Sequence, residues 1–345
     1  MKYHRLGSTG LKVSELCLGT MTFGSRFLNI ATVDQQGADT MVARAWEAGV
    51  NFFDTADVYS YGESETLLGH GIRTAGMPRD SVVLATKVRS PMSEAASDGS
   101  GDVNNVGLSR KHIMAACDAS LKRLGTDYID LYQVHGWDAV TPMEETLRAL
   151  DDLVRAGKVR YVGCSNWPAR KLAKALALAN GERWAPFVSL QAYYSLVGRD
   201  LEHELLPLCR EENLAVLPWS PLSGGFLTGK YRRDGSGPAG ARRTDFQFPP
   251  IDEARGYDAV EALESVAGEH DASVAQAALA WLLHQPQVTS VIIGAKNLEQ
   301  LEDNLASAEL TLSDRELDAL HSVTEPPAQY PGWMVSRQNQ GRSVD

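Results

Sequence analysis

Three otherwise apolar runs end in groups that can carry charge. Asn51-Phe52-Phe53 closes on Asp54, Val82-Val83-Leu84-Ala85-Thr86 on Lys87, and Ile129-Asp130-Leu131-Tyr132-Gln133-Val134 on His135. Tyr59 follows Asp54 by five positions. An ionisable side chain at the end of a buried strand is costly unless it is paired, so these four residues read as one constellation. A phenol titrates near pH 10 in water and is a weak acid or base at neutral pH. An adjacent ammonium favours the phenolate, a carboxylate behind that ammonium keeps it charged and placed, and an imidazole can donate a hydrogen bond to a carbonyl oxygen. The set suits hydride chemistry at a carbonyl.

Residues at successive strand ends need a scaffold in which those ends meet. Eight β-rich runs are expected at 16–18, 51–54, 82–87, 128–135, 158–164, 187–191, 214–219 and 288–293. Most are continuous apolar runs flanked by turn residues, as in strands buried on both faces of a parallel sheet. Amphipathic helices are expected between them, at 32–49, 63–74, from Ser109, at 167–179, 200–212, 255–270, 273–285 and 297–307. Thr141-Pro142-Met143-Glu144 has capping-box spacing before another helix that stops at Gly157, and Ser313-Asp314-Arg315-Glu316 caps a last one. Strand then helix, eight times, is the pattern of a (β/α)8 TIM barrel, with an open doubly wound sheet as the alternative. The whole chain, 1–345, reads as one domain. Two long connections, 90–109 and 222–250, follow strand C-terminal ends, where barrels build their sites.

Other readings are set aside on composition. Lys and Arg number 33 against 44 Asp and Glu, a net charge of −11, which disfavours nucleic acid or an anionic membrane as partner. The first ten residues lack the apolar run of a signal peptide, and no stretch has the length of a membrane span, so a cytoplasmic protein is expected. Cys17, Cys117, Cys164 and Cys209 form no CxxC pair, and the histidines no metal-binding pair. Gly235-Ser236-Gly237-Pro238-Ala239-Gly240 matches G-x-G-x-x-G, but arginines flank it and Pro238 interrupts it, so it reads as a loop.

Leu18-Gly19-Thr20-Met21, the run from Phe53 to Tyr59, Tyr61-Gly62-Glu63-Ser64-Glu65, Ala85-Thr86-Lys87, Gly163-Cys164-Ser165-Asn166, Trp219-Ser220-Pro221-Leu222 and Ile293-Gly294-Ala295-Lys296 together resemble the aldo-keto reductase superfamily along nearly the whole chain. The Trp219 and Gly294 motifs are closest to its bacterial and channel-subunit-like branches. The resemblance implies a barrel that binds NADP(H) without a Rossmann domain. It implies Tyr59 as general acid/base, Lys87 as its partner, Asp54 as the anchor of Lys87, and His135 as the residue that orients the carbonyl. It places Gly19, Thr20, Met21 and Asp54 near the cofactor, and Ser165, Asn166 and Gln191 on its carboxamide. Trp219 is placed on its ring, Ser220, Pro221, Leu222, Gly224 and Lys230 on its pyrophosphate, and Gly294, Lys296, Gln300 and Asn304 at its adenosine end. Lys296 stands where relatives often carry Arg.

An NADPH-dependent reductase of an aldehyde or ketone, or the reverse alcohol oxidation, is therefore expected. A redox-sensing subunit of a larger complex is the alternative. The substrate is expected among Met21, Phe23, Tyr59, His135, Trp137, Tyr330 and Trp333. Its identity and the oligomeric state are left open.

Overall fold

The computed structural model describes residues 1–345 apart from 28–29, 235, 238–242, 244–245 and 343–345. The chain opens with an antiparallel hairpin, β1 (Tyr3–Arg5) and β2 (Lys12–Ser14). Eight parallel strands follow: β3 (Leu16–Gly19), β4 (Phe52–Asp54), β5 (Val83–Val88), β6 (Ile129–Val134), β7 (Val159–Ser165), β8 (Phe187–Tyr193), β9 (Ala215–Trp219) and β10 (Val291–Ile293). They pair in the order β10-β3-β4-β5-β6-β7-β8-β9. A parallel bridge from Val216 to Val288 joins the two edges, and Thr289 N donates to Val216 O at 2.9 Å. The fold is a (β/α)8 barrel, and each expected strand run overlaps one of its strands.

The connections carry α1 (Gln35–Glu47), α2 (Glu63–Thr74), α3 (Glu94–Asp98), α4 (Arg110–Leu124), α5 (Met143–Arg155), α6 (Ala169–Glu182), α7 (Leu205–Glu211), α8 (Glu253–Glu269), α9 (Val274–Leu283) and α10 (Leu298–Ala306). After the barrel come α11 (Asp314–Thr324) and α12 (Gly332–Gln338). Ser109 caps α4 through His112 N, and Ser313 with Glu316 forms the expected box on α11. The Thr141 box does not form. Pro142 is the N-cap of α5, and Thr141 Oγ1 donates instead to Asp138 Oδ2 at 2.7 Å, because that carboxylate already gathers the preceding loop. Among the described residues no helix is long and apolar enough to cross a membrane.

Strand alternation sorts side chains into two cores. Leu16, Leu18, Phe53, Leu84, Tyr132 and Val134 face the helices. Cys17, Phe52, Val83, Ala85, Leu131 and Leu217 fill the barrel interior, where Leu6 and Val13 of the hairpin join them from the N-terminal end. The hairpin floors the barrel, so the polar layer above that inner core faces the opposite, C-terminal end. All four cysteines are free and buried.

Candidate active site

Period-two alternation carries the inner face from apolar to polar along each strand. β4 runs from Phe52 to Asp54, β5 from Val83 through Ala85 to Lys87, and β6 from Leu131 through Gln133, with His135 the residue just beyond it. Tyr59 arrives from the loop after β4, at the start of a turn in which Ser60 and Tyr61 take left-handed backbone (φ 50° and 52°). Two such non-glycine residues cost on the order of 1–3 kcal/mol each. Buried contacts hold the turn: Ser64 Oγ donates to Thr20 O at 2.7 Å, and Glu65 accepts from Thr86 Oγ1 and Arg123 Nε, both at 2.6 Å. These motif residues clamp α2 to the end of β3, to β5 and to α4 rather than facing the mouth.

Lys87 is the hub. Its buried Nζ donates to Asp54 Oδ1 at 2.5 Å, Thr55 O at 2.9 Å and Tyr59 Oη at 3.3 Å. Burial works against its charge, but Asp54 and then Tyr59 outweigh that and hold the ammonium protonated well into the alkaline range. Burial likewise raises the Tyr59 phenol; the Lys87 ammonium pulls the other way without cancelling it. The resting phenol is therefore protonated, an acid in place. Burial, then Lys87 and Arg89, push His135 well below its ordinary value, so its imidazole is neutral. Its Nδ1 is buried without a partner, and its ring meets that of Tyr59 edge-on at 5.8 Å.

Gln133, not singled out from the sequence, completes the arrangement. Gln133 Nε2 and Gln191 Nε2 both donate to Asp54 Oδ2 at 3.0 Å, and Gln191 Nε2 also reaches Gln133 Oε1 at 3.2 Å. Space for these amides exists because residue 163 has no side chain; a Cβ there would stand 2.4 Å from Ser189 Oγ and 3.3 Å from Gln133 Cγ.

The remaining expected residues separate by what they already hold. Ser165 Oγ, opposite Gln191 in the strand register, is buried without a partner, as a residue awaiting a ligand's amide would be. Asn166 is committed: its Nδ2 donates to His135 O and its Oδ1 accepts from Trp219 Nε1, each at 3.1 Å. Trp219 lies stacked with Phe248, ring centroids 5.7 Å apart, and tilted against Tyr193 at 5.2 Å. Thr20 is buried against Ser64 and Asp54 O, and Gly19 packs where a Cβ would meet Ile292 at 2.6 Å. Ser220, Ser223, Gly224 and Gly225 all have positive φ, and Gly224 N donates to Ser220 Oγ at 3.1 Å. Ser223 N also donates to Ser220 O at 2.8 Å and Gly225 N to Leu222 O at 2.9 Å, so these amides close the turn on itself. Pro221 and Leu222 lie in this turn, and Lys230 Nζ would be 2.9 Å from a Cβ on Gly225. At the far end, Gln300 Oε1 accepts from Lys296 N at 3.0 Å and Asn304 Nδ2 donates to Gly294 O at 3.1 Å. Gln300 and Asn304 thus shape the turn, which leaves Lys296, half-buried and outside any ion pair with the described residues, as its charged group. The orphaned Ser165 hydroxyl and the Lys296 cation fit a phosphorylated dinucleotide carrying an amide.

Phe23 needs correction. It is 0% exposed and bridges to Val33, so it belongs to the core, while Phe27 meets the Tyr59 ring at 5.3 Å. Met21 and Trp137 are half-buried. Tyr330 and Trp333, 75% and 45% exposed, make their ring contact with each other, and no described hydrogen bond or ring contact joins them to the tetrad. The loop of residues 222–250 is anchored through buried Phe226 and Leu227. Within the glycine run, Gly235 and residues 238–240 lie outside the described residues.

Known proteins resemble the chain along nearly its whole length. The model of the Aldo/keto reductase family matches residues 15–325. "Uncharacterized oxidoreductase YrpG" of Bacillus subtilis is 40% identical over 95% of this chain and 97% of its own length. "Versiconal hemiacetal acetate reductase" of Aspergillus parasiticus is 34% identical over 96% and 99%. A "Probable voltage-gated potassium channel subunit beta" of Oryza sativa is 35% identical over 94% and 97%.

Proposed function

Because the chain belongs to the aldo/keto reductase family, we propose that it is an NADPH-dependent oxidoreductase that interconverts an aldehyde or ketone and its alcohol, with Tyr59 as general acid/base. The observation that carries this reading is the buried Lys87 ammonium held between Asp54 and the Tyr59 phenol. The nicotinamide dinucleotide, when bound, supplies the hydride for reduction or accepts it in the reverse direction. Ser165, with Gln191, would hold its carboxamide, Trp219 its ring, the 220–225 turn and Lys230 its pyrophosphate, and Lys296 its 2′-phosphate.

The chain's own part is proton handling. Neutral His135 and protonated Tyr59, whose rings meet edge-on at 5.8 Å, would both donate to a carbonyl oxygen bound between them. As negative charge builds on that oxygen, Tyr59 Oη gives up its proton to it. The phenolate left behind is then held by the Lys87 ammonium, a stabilisation absent before the proton moves. Asp54 keeps Lys87 fixed and charged throughout.

The channel-subunit relative supports a second reading, a cofactor-binding subunit that reports redox state to a partner. NADPH oxidation with a panel of aldehydes, diketones and keto sugars separates the two. Turnover abolished by Tyr59→Phe supports the enzyme; tight NADPH binding with no turnover on any member supports the subunit.

A further inference from the structure

Two cations stand against Gly136 and Trp137, the two residues that follow His135, without an acidic partner among the described residues. Arg89 lies just past the end of β5, two positions beyond Lys87, where the backbone leaves the strand conformation (φ 156°). Its Nε donates to Trp137 O at 3.1 Å. A Cβ on Gly136, the residue after His135, would stand 3.3 Å from Arg89 Cδ and 3.8 Å from its Cζ. The guanidinium is thus laid against the residue that adjoins the imidazole, and its charge contributes to keeping His135 neutral. Lys171, in the first turn of α6, holds its Nζ 4.5 Å from the Trp137 ring centroid. Among the described residues neither cation forms an ion pair, and the terminal guanidinium nitrogens of Arg89 have no hydrogen-bond partner. Asp138, two residues beyond Gly136, is already committed to Leu108 N, Val140 N and Thr141 Oγ1.

We propose that Arg89, assisted by Lys171 across the Trp137 ring, selects carbonyl substrates that carry a carboxylate. This rests on the reading that Tyr59 and His135 mark the carbonyl oxygen. A guanidinium with both terminal nitrogens free presents a planar fork that matches a carboxylate bidentately. In a chain of net charge −11, setting two cations against one residue, Arg89 on the Trp137 carbonyl and Lys171 on its ring, is a local choice, and the ring is an apolar surface for the carbon skeleton between carbonyl and carboxylate.

The test pairs substrates that differ only in that charge: 4-carboxybenzaldehyde with benzaldehyde, and succinic semialdehyde with butanal. In the wild type kcat/KM favours the acid of each pair by about tenfold or more, the worth of one charge-assisted hydrogen bond. Arg89→Met collapses that preference through KM of the acid and costs the neutral partner far less; Arg89→Lys restores part of it; Lys171→Met erodes it. Equal kcat/KM within the wild-type pairs overturns the proposal, as does an equal loss on both members in Arg89→Met. Calorimetric titration of the NADPH complex with benzoate and benzamide reads the same preference without turnover. If no carbonyl is reduced, the catalytic reading fails while the benzoate titration still decides on Arg89: preference lost in Arg89→Met supports it, and no preference in the wild type sinks it.

Discussion

Gln191 donates to Asp54 Oδ2 at 3.0 Å, joining residues 137 positions apart in the chain. The bond ties a residue expected on the cofactor directly to the catalytic pair, and Gln133 makes the same bond at the same distance. The second oxygen of Asp54 is thereby satisfied by two amides while the first serves Lys87. Gln133→Leu removes one donor and leaves a buried carboxylate oxygen under-satisfied, at roughly 1–3 kcal/mol. Urea denaturation should show that loss together with a lower kcat. A variant with unchanged midpoint and kcat would make Gln133 dispensable.

Lys87→Met should shift the pH profile and also destabilise the fold by about 3–5 kcal/mol, because it leaves the buried Asp54 carboxylate without its cation. Lys87 lowers the Tyr59 phenol against the larger effect of burial, so removing it raises that phenol further. Alcohol oxidation needs the phenolate, and its rising limb should move to higher pH, with kcat lower by ~10²–10⁴ at neutral pH. Stopped-flow rates from pH 6 to 11, buffered at constant ionic strength, provide the check. An unmoved limb would uncouple the two residues.

Reduction should show no inflection from His135 around its ordinary titration range, because burial, Lys87 and Arg89 all hold the imidazole neutral there. Charging of His135 belongs to a more acidic region. Arg89→Met removes one of the lowering influences and should bring that acidic limb upward. A wild-type inflection near pH 6.5, abolished by His135→Asn, would contradict the neutral imidazole.

Lys296→Ala should weaken NADPH by on the order of 1.5–3 kcal/mol and NADH much less, as expected when one charge-assisted hydrogen bond to the 2′-phosphate is lost. A lysine lacks the fork of arginine, so the wild type should prefer NADPH without excluding NADH. Trp fluorescence quenching gives both dissociation constants. Equal constants in the wild type would refute the role.

Cofactor should protect the loop of residues 222–250 from trypsin. Besides buried Phe226 and Leu227, Arg243 ties it down: its buried guanidinium donates to Ser223 O at 3.3 Å and Pro249 O at 2.8 Å, fastening the turn proposed for pyrophosphate to the segment that carries Phe248. Arg243→Ala should speed cleavage at Arg232 and Arg233 and blunt the protection. Equal cleavage with and without saturating NADPH would deny the loop a covering role.

What the sequence discloses follows from where each signal is local. The eight strands are legible because a strand buried on both faces has to be apolar throughout, and their polar ends stand out against that run. The hairpin β1–β2 escapes notice because Tyr3, His4 and Arg5 are all exposed and show no alternation. Thr141 has the right spacing for a cap, but the competing acceptor, Asp138, is set by the loop's folding. Phe23 is an aromatic near the mouth in sequence that the bridge to Val33 draws inward. Gln133 reads as one polar residue in an apolar strand, and nothing nearby names its partners, 79 and 58 positions away. Arg89 likewise declares its surroundings only once Gly136 is folded against it.

The hairpin that floors the barrel gives proton traffic a direction. With Leu6 and Val13 packed at the N-terminal end against Cys17, Phe52 and Leu131, the described residues close the floor beneath the Lys87 ammonium. Whatever re-protonates Tyr59 after a turnover must come back by the way the substrate leaves, so a bound product or a closed loop stalls the reset as well as the exit. Above such a floor a solvent isotope effect should report on product release, and loosening the floor should open a second path for protons without touching a residue of the tetrad.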